Sequence, residues 1–129
     1  MPTNPVGKDV VKMAEDVSEE IFAMHAEVCK TLADPKRLRI INVLRDGEMT
    51  VGEMARTLGL RQANLSQHLM LLRERGVVTT RRQGLNIYYS LSSPKIVQAC
   101  DLMREVLHEH LARSAQLSQD LQAAVGARS

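Results

Sequence analysis

Apolar residues recur at helical intervals along the first part of the chain. Val10, Ala14, Val17, Ile21, Met24, Val28 and Leu32 step by four, three, four, three, four and four, drawing one stripe on a helix predicted over residues 8–33. Glu15, Asp16, Glu19, Glu20 and Glu27 occupy its other side. Asp34-Pro35 stops that helix and starts the next, because Asp is a good N-cap and Pro suits the first helical position, where its missing N–H costs nothing. The second helix is expected to turn Leu38, Ile41 and Leu44 inward and to end near Asp46-Gly47. Thr50 and Glu53 have capping-box spacing, and Met54, Ala55 and Leu58 give a third helix its buried side. Gly59 supplies a turn, and a fourth helix over about residues 62–75 carries Leu65, Leu69 and Leu72 at core spacing, with Gly76 at its end. The period then changes. Residues 77–82 and 86–91 are β-favouring runs flanking Gln83-Gly84-Leu85, which is hairpin spacing. Pro94 opens a last helix with Ile96, Cys100, Met103, Leu107 and Leu111 in a stripe; beyond Arg113 the sequence is rich in Ala, Gln and Ser, and its pattern leaves open whether the helix continues.

This order predicts a mainly α protein with a small β-hairpin, a winged helix-turn-helix in one domain over residues 1–129. The helix-turn-helix occupies residues 50–76 and the wing residues 77–91. The end helices, 8–33 and 94–113, carry more apolar surface than a core of this size covers, so they are expected to dimerise the chain across a two-fold axis. Such a dyad would set the two exposed second helices of the motif about 34 Å apart, the spacing of an inverted repeat in duplex DNA.

Charge sharpens that expectation. Residues 1–34 hold three lysines against seven acids, whereas residues 61–91 hold Arg61, Arg73, Arg75, Arg81 and Arg82 against Glu74 alone. The overall charge of +2 therefore hides a basic patch on the predicted motif, which would supply sequence-independent attraction to phosphate. Aromatics are only 2% (Phe22, Tyr88 and Tyr89), too few for a protein that stacks single-stranded bases on rings. No apolar run approaches the roughly 20 residues that span a bilayer, and the first residues lack the basic-then-apolar pattern of an export signal, so no membrane partner and a cytoplasmic location are expected. In that compartment Cys29 and Cys100 are expected as thiols.

Four segments carry a family resemblance: residues 32–40 (Leu-Ala-Asp-Pro-Lys-Arg-Leu-Arg-Ile), 65–69 (Leu-Ser-Gln-His-Leu), 72–78 (Leu-Arg-Glu-Arg-Gly-Val-Val) and 84–91 (Gly-Leu-Asn-Ile-Tyr-Tyr-Ser-Leu). From Cys29 to about Leu111 the chain resembles the ArsR/SmtB family of bacterial winged-helix repressors, homodimers that release an operator when an inducer acts. The resemblance implies recognition by Gln62, Asn64, Ser66, Gln67 and His68, and wing contacts by Arg81 and Arg82. Gln and Asn can pair bidentately with adenine edges, and wing arginines suit a narrow minor groove. Arg73 joins this set through the basic patch. Arg61 stands where the family usually has Ser or Thr, so the fourth helix either lacks an N-cap or uses Gln62, and Arg61 gains access to phosphate.

The family's inducer sites are mostly missing. Thr50 and Gly52 stand at the Cys-x-Cys of the third-helix metal site; Ser93, Lys95 and Val106 stand at the ligands of the last-helix site; Asn42 and His108 stand at the paired cysteines of the sulfide-responsive branch. What remains is Cys29 on the first helix and Cys100 on the last, a candidate pair for thiol oxidation or persulfidation. The alternative is a metal or metalloid site of His25, Cys29 and Cys100, His25 and Cys29 lying four apart on one helical face; no metal or other cofactor is otherwise called for. A winged-helix module for protein contacts is the reading from another class. An enzyme is not expected: no glycine loop cradles phosphate, no paired carboxylates sit near a cleft, and Ser66 and His68, two apart on a helix, point apart.

Overall fold

The computed structural model describes backbone structure for residues 5–128 and side-chain burial for residues 18–126. The side chains of Val10, Ala14 and Val17, which begin the first predicted stripe, and of Glu15 and Asp16 on its other side, lie outside the described residues. The elements run α1 (Pro5–Leu32), α2 (Pro35–Val43), a single 3-10 turn (Leu44–Asp46), β1 (Met49–Thr50), α3 (Val51–Leu58), α4 (Gln62–Glu74), β2 (Val78–Gln83), β3 (Asn86–Leu91) and α5 (Pro94–Arg128). Met1–Ser92 and Ser93–Ser129 form two compact units.

In the first unit the helix ends are built by the residues that the pattern singled out. Asp34 Oδ1 accepts from the backbone N–H of Lys36 (2.8 Å) and Arg37 (3.1 Å), with Pro35 opening α2. Thr50 Oγ1 accepts from Glu53 N at 3.2 Å and starts α3. Gly59 closes α3 in the left-handed conformation (φ 67°), which a side chain would oppose, and Leu60 N donates back to Ala55 O at 3.1 Å. Arg39 Nη2 on α2 donates to Leu58 O at 2.8 Å, tying down the same turn. At the end of α4 a Schellman pair, Gly76 N to Arg73 O (3.0 Å) and Val77 N to Leu72 O (2.9 Å), swings the chain straight into β2.

The core is the apolar side of α2, α3 and α4 closed by the start of β2: Ile40, Ile41, Leu44, Met54, Leu58, Leu65, Leu69, Leu72, Val77 and Val78 are all buried. The expected inward face of α2 needs one correction. Leu38 is 39% exposed and Ile40 is fully buried, so the helix sits on Ile40, Ile41 and Leu44. It also ends earlier, at Val43, tightening into the 3-10 turn.

The sheet is larger than the expected hairpin. β1 pairs antiparallel with β3 (Met49 with Tyr89, Thr50 with Tyr88), and β3 pairs with β2 from Val78–Leu91 to Gln83–Asn86, giving the order β1-β3-β2. The wing turn is the two residues Gly84-Leu85. Gly84 has φ 62° and Leu85 a negative φ, the signs of a type II′ turn, in which glycine takes the first central place and the twist of the strands is preserved.

The second unit is α5. Ser93 Oγ accepts from Lys95 N at 3.2 Å at its start, and the helix continues past Arg113 to Arg128, which answers the question left open by composition. Leu102, Met103, Val106, Leu107 and Leu111 on it are exposed, as are Leu117, Leu121 and Val125 further on.

Candidate nucleic-acid interface

Successive residues of α4 advance by about 100° around the helix axis. With Leu65, Leu69 and Leu72 fully buried, the side diametrically opposite belongs to Ala63, Gln67, Met70 and Glu74, all exposed. Gln62, Ser66 and Arg73 lie on one flank and are exposed, whereas Asn64 and His68 lie on the other and are half-buried. The residues expected to point outward together are therefore split, with Gln67 at the centre of the outward face. Arg61 takes the N-cap position with extended backbone and no side-chain cap, so of the two alternatives the helix lacks its cap.

His68 has a partner that sequence reasoning missed. Arg37 Nη1 lies 3.3 Å from His68 Nδ1, and since a guanidinium only donates, a hydrogen bond here is one that Nδ1 accepts. Arg37 Nε donates to the Thr31 carbonyl, in the last turn of α1. A second link, Arg75 to Glu27 at 3.5 Å, joins α1 to the residue that closes α4. The Asp34 carboxyl beside this group is held below its ordinary range, first by the Arg37 N–H that it accepts, against partial desolvation. Nothing in the spacing of residues 31 apart announces the Arg37–His68 contact.

The wing separates its two arginines. Arg81 faces Tyr88 in the ladder and Arg82 faces Ile87, so the pleat sends them to opposite sides of the sheet. Arg81 Nε and Nη2 bind Glu48 Oε2 and Oε1 at 3.1 and 2.5 Å, its Nη1 donates to Gln83 Oε1 at 2.8 Å, and its guanidinium lies 4.7 Å over the Tyr88 ring. The hydrogen bond from Arg81 holds the Glu48 carboxyl below its ordinary range and raises the arginine in turn. Arg82 is exposed and reaches only the Gly84 carbonyl, at 3.4 Å, beside the almost wholly exposed Leu85 at the tip. Glu48 and Tyr88 are the further residues that the sequence reading did not assign to the site.

The family's metal positions do not fit a metal here. Thr50 is engaged in capping α3, Gly52 has no side chain, and the Ser93 hydroxyl caps α5. Among the described residues no group of three or more His, Cys, Asp or Glu side chains is placed to hold a metal ion. Cys29 and His25 are exposed, Cys100 is half-buried, and both cysteines are free thiols. No helix among the described residues is long and apolar enough to cross a membrane.

Two helices joined by a glycine turn, the second exposing Gln62, Ser66, Gln67 and Arg73 away from a buried leucine triad and followed by a cationic two-stranded wing, define a winged helix-turn-helix protein. The model of the bacterial regulatory protein arsR family matches residues 34–80. The chain is 39% identical over 107 residues, 82% of its length and 94% of the relative's, to an uncharacterised HTH-type transcriptional regulator, Rv0081, of Mycobacterium tuberculosis. It is also 39% identical over 88 residues, 68% of its length and 82% of the relative's, to the transcriptional activator HlyU of Vibrio cholerae. The solution structure of the homodimeric winged helix-turn-helix DNA-binding domain of Mb0332 from Mycobacterium bovis superposes with a TM-score of 0.67 at 31% identity, covering 74% of this chain and 89% of that one. The protein belongs to the arsR family: it is a DNA-binding transcriptional regulator and not an enzyme.

Proposed function

We propose that the protein is a homodimeric repressor that reads an inverted repeat with α4, steadies itself with the wing, and leaves its operator when Cys29 and Cys100 are oxidised or bridged by sulfur. The observation that carries the DNA part is the outward ridge of α4 centred on Gln67, whose amide can donate to and accept from an adenine edge. Asn64, Gln62 and Ser66 serve neighbouring bases and phosphates from the flanks. Arg61 and Arg73 serve the backbone, and the uncapped first turn of α4 offers N–H groups to a phosphate. His68, held by Arg37, acts by positioning the helix as well as by the Nε2–H that it can donate. Exposed Ile21, Phe22 and Met24 on α1, and Leu102, Met103, Val106, Leu107 and Leu111 on α5, are apolar surface that a second copy would cover. Operator binding by such a dimer represses wherever the operator overlaps a promoter.

Within the wing, Arg82 is assigned the phosphate or minor-groove contact and Arg81 the smaller role, because Arg81 is already neutralised by Glu48. Arg82→Ala is expected to weaken binding to every duplex and to flatten the dependence of log K on log salt by about one. Arg81→Ala is expected to change both less. Fluorescence anisotropy on operator and random duplexes over a salt series measures this, and an Arg81→Ala effect larger than that of Arg82→Ala would reverse the assignment.

For release, both cysteines are free thiols. Two thiols forming a disulfide give up two protons and two electrons to the oxidant, peroxide being reduced to water; a polysulfide instead leaves one sulfane sulfur between them while a second sulfane sulfur takes up the two protons and two electrons and departs as hydrogen sulfide. A direct bond needs Cα atoms within about 7 Å, which a sulfur bridge relaxes. Cys29 lies between Glu27 and Thr31, the two α1 residues tied to α4 through Arg75 and through Arg37 and His68, so strain on this helix end would reach the recognition helix. Cys29→Ser and Cys100→Ser are each expected to bind operator like the parent and to remain bound under polysulfide or peroxide in a gel shift. Variants released as readily as the parent would remove the thiols from the mechanism.

A further inference from the structure

We infer that Glu48 is an intramolecular competitor of DNA phosphate for Arg81, and so lowers the affinity of this regulator for every duplex; the inference rests on the DNA-binding function proposed above. Glu48 precedes β1, at the edge of the sheet, and reaches across the β3 strand to Arg81 on β2. The row that pairs Thr50 with Tyr88 and Tyr88 with Arg81 puts all three on one face of the sheet, and Glu48, two residues before Thr50, shares that face. The Tyr88 ring thus forms a floor beneath the guanidinium, which lies 4.7 Å over its centroid. Every nitrogen of Arg81 then donates within the protein: Nε and Nη2 to the two Glu48 oxygens in the fork geometry that a phosphate would also use, and Nη1 to Gln83. A duplex phosphate takes this edge of the guanidinium only by displacing Glu48, and while the pair is intact the two charges cancel at the wing. Arg82, on the opposite face, makes no ion pair among the described residues and is left to supply the wing's attraction. The pair is solvent-exposed, with side chains 49% and 39% accessible, so it opens readily enough to act as a competitor instead of a lock.

The test is Glu48→Gln, which keeps shape and removes the charge. On random-sequence duplex in about 0.1 M salt, one additional phosphate contact is expected to tighten binding about eightfold and to steepen the slope of log K against log salt by about 0.9. Adding Arg81→Gln to the same protein is expected to abolish the gain. Asp46→Asn, which removes one negative charge two residues away, is expected to change affinity less than about twofold, since it is Glu48 that holds Arg81 and the loss of Asp46 frees no guanidinium for a phosphate. Unchanged or weaker binding by Glu48→Gln, a gain that survives Arg81→Gln, or an equal gain from Asp46→Asn would each overturn the inference. A parent protein that binds no duplex even at low salt would instead overturn the function on which it rests.

Discussion

Replacing Leu69 with alanine is expected to lower stability by about 2–5 kcal/mol, the cost of lost burial plus the cavity left behind. Leu69 is fully buried between Leu65 and Leu72, and these three side chains form the buried side of α4. For a domain whose whole stability is of the order of 5–15 kcal/mol, such a loss removes a large share of it. Urea unfolding followed by circular dichroism reads the shift in midpoint. Duplex binding is expected to fall in parallel, because the outward side of α4 is presented only while its leucine side stays packed. A loss below about 1 kcal/mol would mean that α4 is not held by this triad, and the outward ridge derived from it would move with it.

Gln67→Ala is expected to reduce discrimination between operator and random duplex by about 1–3 kcal/mol, roughly 5- to 150-fold, while leaving random-duplex affinity and the salt slope unchanged. The reason is its exposed place directly opposite the core face, which on the proposed function brings the amide to base edges. Asn64→Ala is expected to act in the same direction with smaller size, since Asn64 is half-buried on the flank. Competition anisotropy with the upstream region of the chain's own gene as a first operator candidate separates the outcomes. Equal weakening on operator and random DNA would make Gln67 a phosphate contact and shift the reading of bases to Gln62 and Ser66.

Much of the architecture was legible because it is locally encoded. The Asp34 and Thr50 caps depend on a side chain within three residues of the N–H that it accepts, and each formed as its spacing predicts. The leucine triad of α4 is a single unambiguous stripe. On α2 the same rule chose wrongly between Leu38 and Ile40, because Ile40 and Ile41 are adjacent and two overlapping stripes are available; packing against α3 and α4 selects one. β1 escaped notice because two residues show no period, and its existence depends on pairing with β3 some 39 positions later. The chain beyond Arg113 is helix, and Leu117, Leu121 and Val125, spaced by four, are an apolar signal that its Ala-, Gln- and Ser-rich composition masked.

The candidate site divides in the same way. That residues 61–91 are basic, that Gln67 is polar above a leucine core, and that two strands join at Gly84 are properties of nearby residues, so the sequence by itself determined them. Which charges are available to a partner is a different matter. Arg81 and Arg82 read as equals until the pleat parts them and Glu48, 33 residues away, neutralises one. His68 reads as a base contact until Arg37, 31 residues away, binds its Nδ1 and joins it to the end of α1. Only the tertiary structure could decide these roles, because an ion pair or a shared hydrogen bond depends on distance in space, and folding sets that distance between segments whose local patterns are independent of each other.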